Sequence, residues 1–336
     1  MAVSTIPLRD PRWLEFVSSQ SEALPVHHPA WALLLEQTYG FDSLALVDEA
    51  GGAISAGMPV LRVRRPLGGA RWISLPFTDF SPPLGDLAAL ADGLDGVPAA
   101  HRVTRLEIRG PLPGATSGTP EPPLLHTLPL EPDPDAVARR FRDSVKRNIR
   151  KGERSGVTVR RGAKEGDLVD AFYGLHVETR RRLGVPVQPR RFFRLLWRSV
   201  VEPGLGFVLL AEHGERTLAG AVFLAWNGTI AYKYGASDPK WLGLRPNEVL
   251  FRDVIEWACA NGYRTLDFGR TDADAAGLRR FKLGWGCEEA PLLYSVVGGE
   301  PPRLDSSSST ALAPLLRRSP TWVTRVVGEL LYKYAA

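Results

Sequence analysis

Apolar residues along this chain recur at two spacings, about four and two, and the switches between them mark out helices and strands. Val137, Phe141, Val145 and Ile149 recur every fourth residue behind an Asp133-Pro134 start, which predicts one helix running from there to Gly156. A strand over VTVRR follows, then a helix over 166–183. Three strands come next, over 207–211, 217–226 and 229–236, joined by tight glycine-containing turns. Pro246 opens a helix with apolar Leu250, Val254, Trp257 and Ala258, closed by Asn261-Gly262. A strand over 263–269, a short helix and a last strand complete this half.

The first 130 residues give a looser version of the same order. A helical segment covers 6–20, and His28-Pro29-Ala30 opens a second helix that ends at Gly40. Strands follow over 43–48, 53–64 and 71–75, then a helix over 86–101 and a strand over 103–108. The Pro-rich stretch PFTDFSPPLGD, with Asp79 between Phe77 and Phe80, reads as a shaped binding loop. Gly and Pro crowd 110–123, a surface excursion. The order predicts an α/β protein of two domains, 1–130 and 131–300, each with a mixed central sheet flanked by helices. No sequence repeat relates the halves. PPRLDSSSST at 301–310 reads as a flexible connector. The tail 311–336 holds one more helix, apolar at Trp322, Val326, Val327, Leu330 and Leu331, expected to pack back on the first domain. Peripheral contact with a membrane is the alternative.

Composition narrows the class. The 336 residues, 44% hydrophobic and 24% charged, suffice for two buried cores. Cys259 and Cys287 offer no disulfide framework, and the six His residues show no metal-ligand spacing. No apolar run approaches the ~20 residues of a membrane span, and MAVSTIPLRD lacks a signal-peptide core. These features predict a cytoplasmic protein in a reducing compartment, with no metal. The net charge of +5 concentrates between 136 and 154, where Arg147 stands among eight basic residues against only Asp143 and Glu153. Such a face suits phosphate, or else is a solvated helix surface.

The chemistry-bearing candidates lie in the second half. Over 266–286 the chain reads LDFGRTDADAAGLRRFKLGWG, where a strand end leads through a polar loop to Phe281-Lys282 and Trp285-Gly286. A desolvated ammonium costs several kcal/mol unless something anionic meets it, so Lys282 is placed to face an oxyanion or phosphate, or it snorkels from a helix. Asp267 orients Lys282 or an incoming amine, or caps the loop. Strand alternation puts Tyr232 and Tyr234 on one face of a strand that ends in small residues. No GxSxG elbow is present and neither Cys has a clear His partner, which argues against a covalent acyl-enzyme.

The Phe281-Lys282 signature, YKYGAS at 232–237 and HVETRRR at 176–182 resemble the FemABX family of peptidyltransferases, which add amino acids to peptidoglycan precursors. The resemblance spans roughly 25–297 and implies two tandem GNAT-like (acyl-CoA N-acyltransferase) domains. It implies Lys282 as the catalytic group, with Phe281 and Tyr234 in the substrate site. Thr179 and Arg181 would hold substrate phosphates, with Arg180 or Arg182 as alternatives in register. Arg147, Asp79, Asp267 and Arg270 join them as substrate contacts. The implied activity is direct transfer of an aminoacyl or acyl group to an amine of a nucleotide- or lipid-linked cell-envelope precursor. No cofactor would stay bound, and the donor is either aminoacyl-tRNA or acyl-CoA. Two other readings stand beside it: an N-acyltransferase of polysaccharides or small molecules using an acyl-CoA or acyl-carrier donor, and a non-catalytic binding protein. Coenzyme A enzymes carry a [QR]xxGx[GA] loop. Residues 241–247 here read WLGLRPN, with one Gly, which predicts weak coenzyme A binding.

Overall fold

The computed structural model describes residues 3–64, 69–117, 121–299 and 313–335, and the connector expected over 301–310 lies outside them. The chain divides into two units, Met1–Pro123 with Pro291–Leu304, and Leu124–Ala290 with Asp305–Ala335.

The first unit is built on β1 (Ser4–Ile6), β2 (Asp42–Ala50), β3 (Ala53–Arg64), β4 (Ala70–Ile73), β5 (Leu84–Gly85), β6 (Val103–Ile108), β7 (Thr116–Ser117) and β15 (Ser295–Val297). Their order is β1-β2-β3-β4-β6-β15-β7, with β5 on β3. The pair β4 and β6 is parallel, while β2/β3, β3/β4 and β6/β15 are antiparallel. Helices α1 (Pro11–Ser19), α2 (Pro29–Tyr39), α3 (Leu87–Gly93) and α4 (Val97–Ala100) flank the sheet. The helix expected over 86–101 is thus two helices, because Gly96 takes a left-handed φ of 79° between them. Asp10 caps α1 by accepting from the Arg12 N–H, and β1 occupies the start of what read as helix.

The second sheet runs β14-β8-β13-β12-β11-β10-β9, from β8 (Leu124–Pro129), β9 (Thr158–Arg161), β10 (Gly206–His213), β11 (Arg216–Trp226), β12 (Thr229–Ser237), β13 (Thr265–Thr271) and β14 (Glu288–Pro291). Its helices are α5 (Pro134–Arg139), α6 (Asp143–Arg154), α7 (Tyr173–Leu183), α8 (Arg190–Leu196), α9 (Pro246–Ala260), α10 (Ala276–Gly284), α11 (Ala313–Arg318) and α12 (Thr321–Leu331). A wide π-turn, Asp167–Phe172, leads into α7. The four-residue stripe Val137, Phe141, Val145, Ile149 is buried in one core with Leu250 and Val254 of α9, as its spacing requires. Its helix is nonetheless broken. Arg142 turns its N–H to the carbonyl of Gly284, which ends α5 and starts α6 without interrupting the apolar face.

Three boundaries depart from the sequence reading. The division falls at 123/124 rather than 130, because β8 pairs along β13. LLHTLP alternates buried His126 and Leu128 with half-exposed neighbours, a strand pattern that followed directly on the Gly- and Pro-rich stretch and was read as part of none. The last strand of the expected second domain, β15, belongs to the first sheet. The tail, expected on the first domain, belongs to the second unit and packs on α7, and Gly328 of α12 lies so close to the backbone before α8 that a Cβ there would come 2.0 Å from the Val187 carbonyl oxygen.

Candidate functional site

β12 and β13 are parallel, yet they pair only through Thr229 with Thr265, Ile230 with Leu266 and Ala231 with Asp267. Beyond that point β12 stays with β11 as far as Ser237, and β13 stays with β8 as far as Thr271. The two strands therefore part, and a wedge opens between them in the middle of the sheet. Each strand carries a bulge where the parting begins. In β12, Tyr232 and Tyr234 oppose the adjacent residues Phe223 and Val222, leaving Lys233 extra. In β13, Asp267 and Gly269 oppose Thr127 and His126, leaving Phe268 extra. A bulge bends and twists its strand, which is the physical cause of the split.

The bulge at Lys233 also corrects the expected alternation. Tyr232 faces α9, its ring 5.0 Å from Phe251 and 5.7 Å from Phe223. Burial pushes its phenol up to about 12. Tyr234 faces the opposite side, among His176 of α7 and Phe192 and Phe193 of α8, with ring centroids 5.7–5.9 Å apart. The Tyr232 hydroxyl folds along the strand over Gly235, where a Cβ would sit 1.6 Å from it. His176 gives its Nε2 to a hydrogen bond with Gln188 Oε1, 2.8 Å, and burial followed by the charge of Arg180 lowers its pKa to about 3. It is neutral at any working pH.

Where β12 ends, a cavity of about 310 Å³ lies against α7, lined by Glu178, Thr179, Arg181, Arg182, Ser237, Pro239 and Arg317. Thr179 Oγ1 accepts from the Ser237 N–H at 3.4 Å, so strand end and helix are joined at the cavity wall. Arg181 lines it but is engaged, with Glu178 at 3.0 Å and with the carbonyls of Arg317 and Ser319. Arg180 turns away to the Pro186 carbonyl. Arg182 and Arg317 are exposed. The structure thus brings Thr179, Arg181 and Arg182 together and adds Arg317, which sequence reading missed because it comes from the tail.

Lys282 does not line this cavity; it lies at β13. Only 2% of it is exposed, and its Nζ donates to the carbonyls of Gly269 (2.7 Å) and Arg270 (2.9 Å) at the bulged end of β13. Asp267 accepts from the Gly269 N–H at 2.7 Å, the capping contact that was one of its two readings. Arg270 pairs with Asp272. Phe281 packs into the core against Phe251 and Trp285. Beside Lys282, His126 of β8 links Thr271 Oγ1 (3.2 Å) to Glu289 Oε1 (2.8 Å), and Arg279 of α10 grips the same carboxylate through two bonds of 2.7 Å. This chain ties β8, β13, β14 and α10 together behind the wedge. Burial lowers the pKa of His126, opposed by Glu289, and pushes the nearby Cys287 thiol up to about 12. Nothing in the sequence pattern pairs His126 with a residue as distant as Glu289.

The two remaining candidates lie elsewhere. Arg147 is exposed on α6 and does not line the cavity. Asp79, in the first unit, is exposed, and its carbonyl accepts from the Tyr294 hydroxyl at 2.6 Å. Its loop is strained, with Leu75 and Phe77 at φ of 62° and 59°. The WLGLRPN loop between β12 and α9 forms a short 3-10 helix, Pro239–Leu244, then Arg245 in a left-handed conformation. Pro246 removes one N–H from the start of α9, and Glu248 places a carboxylate in its first turn. Among the described residues no group of three or more His, Cys, Asp or Glu could hold a metal ion.

Residues 139–288 match the family model described as an acetyltransferase (GNAT) domain. Among curated proteins no sequence match is found. FemX has the same fold, with a TM-score of 0.69 at 15% identity over 88% of this chain and 97% of its own. The C-terminal domain of a protein assigned as lysylphosphatidylglycerol synthetase from Agrobacterium fabrum aligns at 0.56, with 13% identity over 91% and 95%. A tandem GNAT protein from the clavulanic acid biosynthesis pathway aligns at 0.53, with 12% identity over 90% and 100%. The two sheets are two GNAT-like units in tandem, and the wedge between β12 and β13 lies inside the matched domain.

Proposed function

We propose that this tandem GNAT acyltransferase moves an aminoacyl or acyl group directly onto an amine of a phosphate-bearing cell-envelope precursor. The observation that carries the reading is the wedge: two parallel strands that part at paired bulges, with a buried ammonium fixed at the end of one and a cationic cavity at the end of the other. The acyl group lies between the parted strand edges, and the amine attacks its carbonyl without a covalent enzyme intermediate. Lys282 stabilises the developing oxyanion through its charge in low-dielectric surroundings, with two of its three N–H donors held by β13. Thr179, Arg182 and Arg317 hold the precursor's phosphates, for which the planar guanidinium is suited. Tyr234, backed by aromatic rings, shapes the β12 side.

The donor is aminoacyl-tRNA rather than acyl-CoA. Pro246 takes one N–H from the start of α9, and Glu248 sets a carboxylate there against Arg245, so the helix end has less to offer a pyrophosphate. The likeness to a domain named for an aminoacyl lipid agrees with this choice. Incubation with an amine-bearing muropeptide precursor and either charged tRNA or acetyl-CoA, followed by mass spectrometry of the acceptor, tests the proposal. An aminoacyl mass increment with charged tRNA is expected. An acetyl increment, with tight acetyl-CoA binding by calorimetry, would replace the donor, and no increment with either would overturn the activity.

A further inference from the structure

The tail is folded inside out for a surface helix pair. The side of α12 that meets α7 and Val187 is small and polar, with Thr324 fully buried and Gly328 in backbone contact. Its large apolar side chains point outward: Trp322 is 63% exposed, Val326 48% and Leu330 63%, one stripe at four-residue spacing, and Tyr334, 48% exposed, follows in the 3-10 turn Tyr332–Ala335. Leu315 of α11 is exposed as well, at 58%. Exposed Arg318 and Lys333 flank this stripe, while Arg325 turns back over the Tyr173 ring of α7, 5.9 Å from its centroid, and the tail's described residues hold a single acidic one, Glu329. Ordinary surface helices bury the apolar stripe and expose the polar face, so a contiguous outward stripe marks an interaction site.

We infer that the outer face of α12 docks in the plane of an anionic lipid bilayer. Three features select lipid over a second copy of the chain. Trp322 opens the stripe and Tyr334 follows it, and these are the side chains that settle at headgroup level. The flanking cations complement anionic headgroups, whereas in a two-fold dimer they would face one another. One eleven-residue helix also presents far less than the roughly 800 Å² per partner of a stable protein interface. The helix is too short to cross the bilayer and lies in its surface. Arg317, on the preceding helix, lines the cationic cavity, so a docked tail holds that cavity close to the headgroups. This last point rests on the acyltransferase reading and makes the acceptor lipid-linked. The docking itself does not depend on it.

Flotation of the whole protein with vesicles tests the inference without any assay of activity. Binding is expected to phosphatidylcholine vesicles containing phosphatidylglycerol, weakening at high salt, with little binding to phosphatidylcholine alone. Trp322→Ser with Leu330→Ser should lower the binding by at least about tenfold and leave the melting temperature unchanged, because both side chains are exposed. Arg318→Glu with Lys333→Glu should abolish the preference for the anionic lipid. Three results would overturn it: no binding at low salt, undiminished binding of the Ser variant, or a concentration-dependent dimer by sedimentation that the Ser variant dissolves.

Discussion

At the scale of single residues, Lys282 carries the sharpest expectation. Replacing a partly buried charge by an apolar side chain of similar length is often neutral or mildly stabilising. The two carbonyls that Lys282 meets change that, because Lys282→Met leaves Gly269 and Arg270 with buried acceptors lacking a partner. A loss of about 1–3 kcal/mol is expected in denaturant unfolding, alongside a fall in turnover of about two to three orders of magnitude. If Lys282 only braces β13, stability drops but turnover per folded molecule stays near wild type. The candidates Lys282, Thr179 and Arg181 were legible because each sits in a short local pattern. Glu289 was not, since it meets His126 from the neighbouring strand after 163 residues of chain. The face of Tyr234 was hidden too, because a bulge shows no signature in the residues that form it.

The elements explain why a bulge matters here. β12 must bend away from β13 while Tyr232 still reaches the core, and Gly235 makes room for its hydroxyl. Gly235→Ala should therefore cost about 1–3 kcal/mol through overpacking, measured as a lowered unfolding midpoint, and should reduce activity by shifting the wedge. Combining it with Tyr232→Phe should restore part of the loss, and strictly additive effects would show that the two positions do not meet. Helices α6, α7 and α9 were readable from periodicity, which survives in a packed stripe. The break between α5 and α6 was not, because it depends on Gly284 accepting from a residue far earlier in the chain. Salt gives a further test. If Arg182 holds phosphate, Arg182→Glu should raise the Michaelis constant for the precursor and flatten its salt dependence, whereas Arg147→Glu, exposed on α6, should leave both nearly unchanged.

For the whole molecule, buried histidines couple stability to pH. Burial depresses His27 in the first unit to about 4 and His176 in the second to about 3, against 6.5 when unfolded. The folded chain keeps both neutral while the unfolded chain protonates them, so stability is full above the unfolded value and falls as pH drops through 6.5 toward 4. His27 alone accounts for roughly 3 kcal/mol of that loss. Chemical denaturation across pH 7 to 5 should show uptake of protons on unfolding, and His27→Gln should make the curve shallower; a flat profile would refute the linkage. Neither half is a separable domain at the boundaries composition suggests. A fragment starting at residue 131 lacks β8, exposes the edge of β13 beside Lys282, and is expected to aggregate.

β15 lies between β6 and β7 in the first sheet, yet it is made after the whole of β8 to β14. On the ribosome the amino-terminal unit must therefore wait for residues 124–297, about ten to thirty-five seconds at ordinary elongation rates. During that interval the flank of β6 has no neighbour to pair with, while the later unit completes its own sheet with β14, before β15 is made. Birth order and folding order are reversed, and the nascent amino-terminal half is the part of this protein that depends on chaperones.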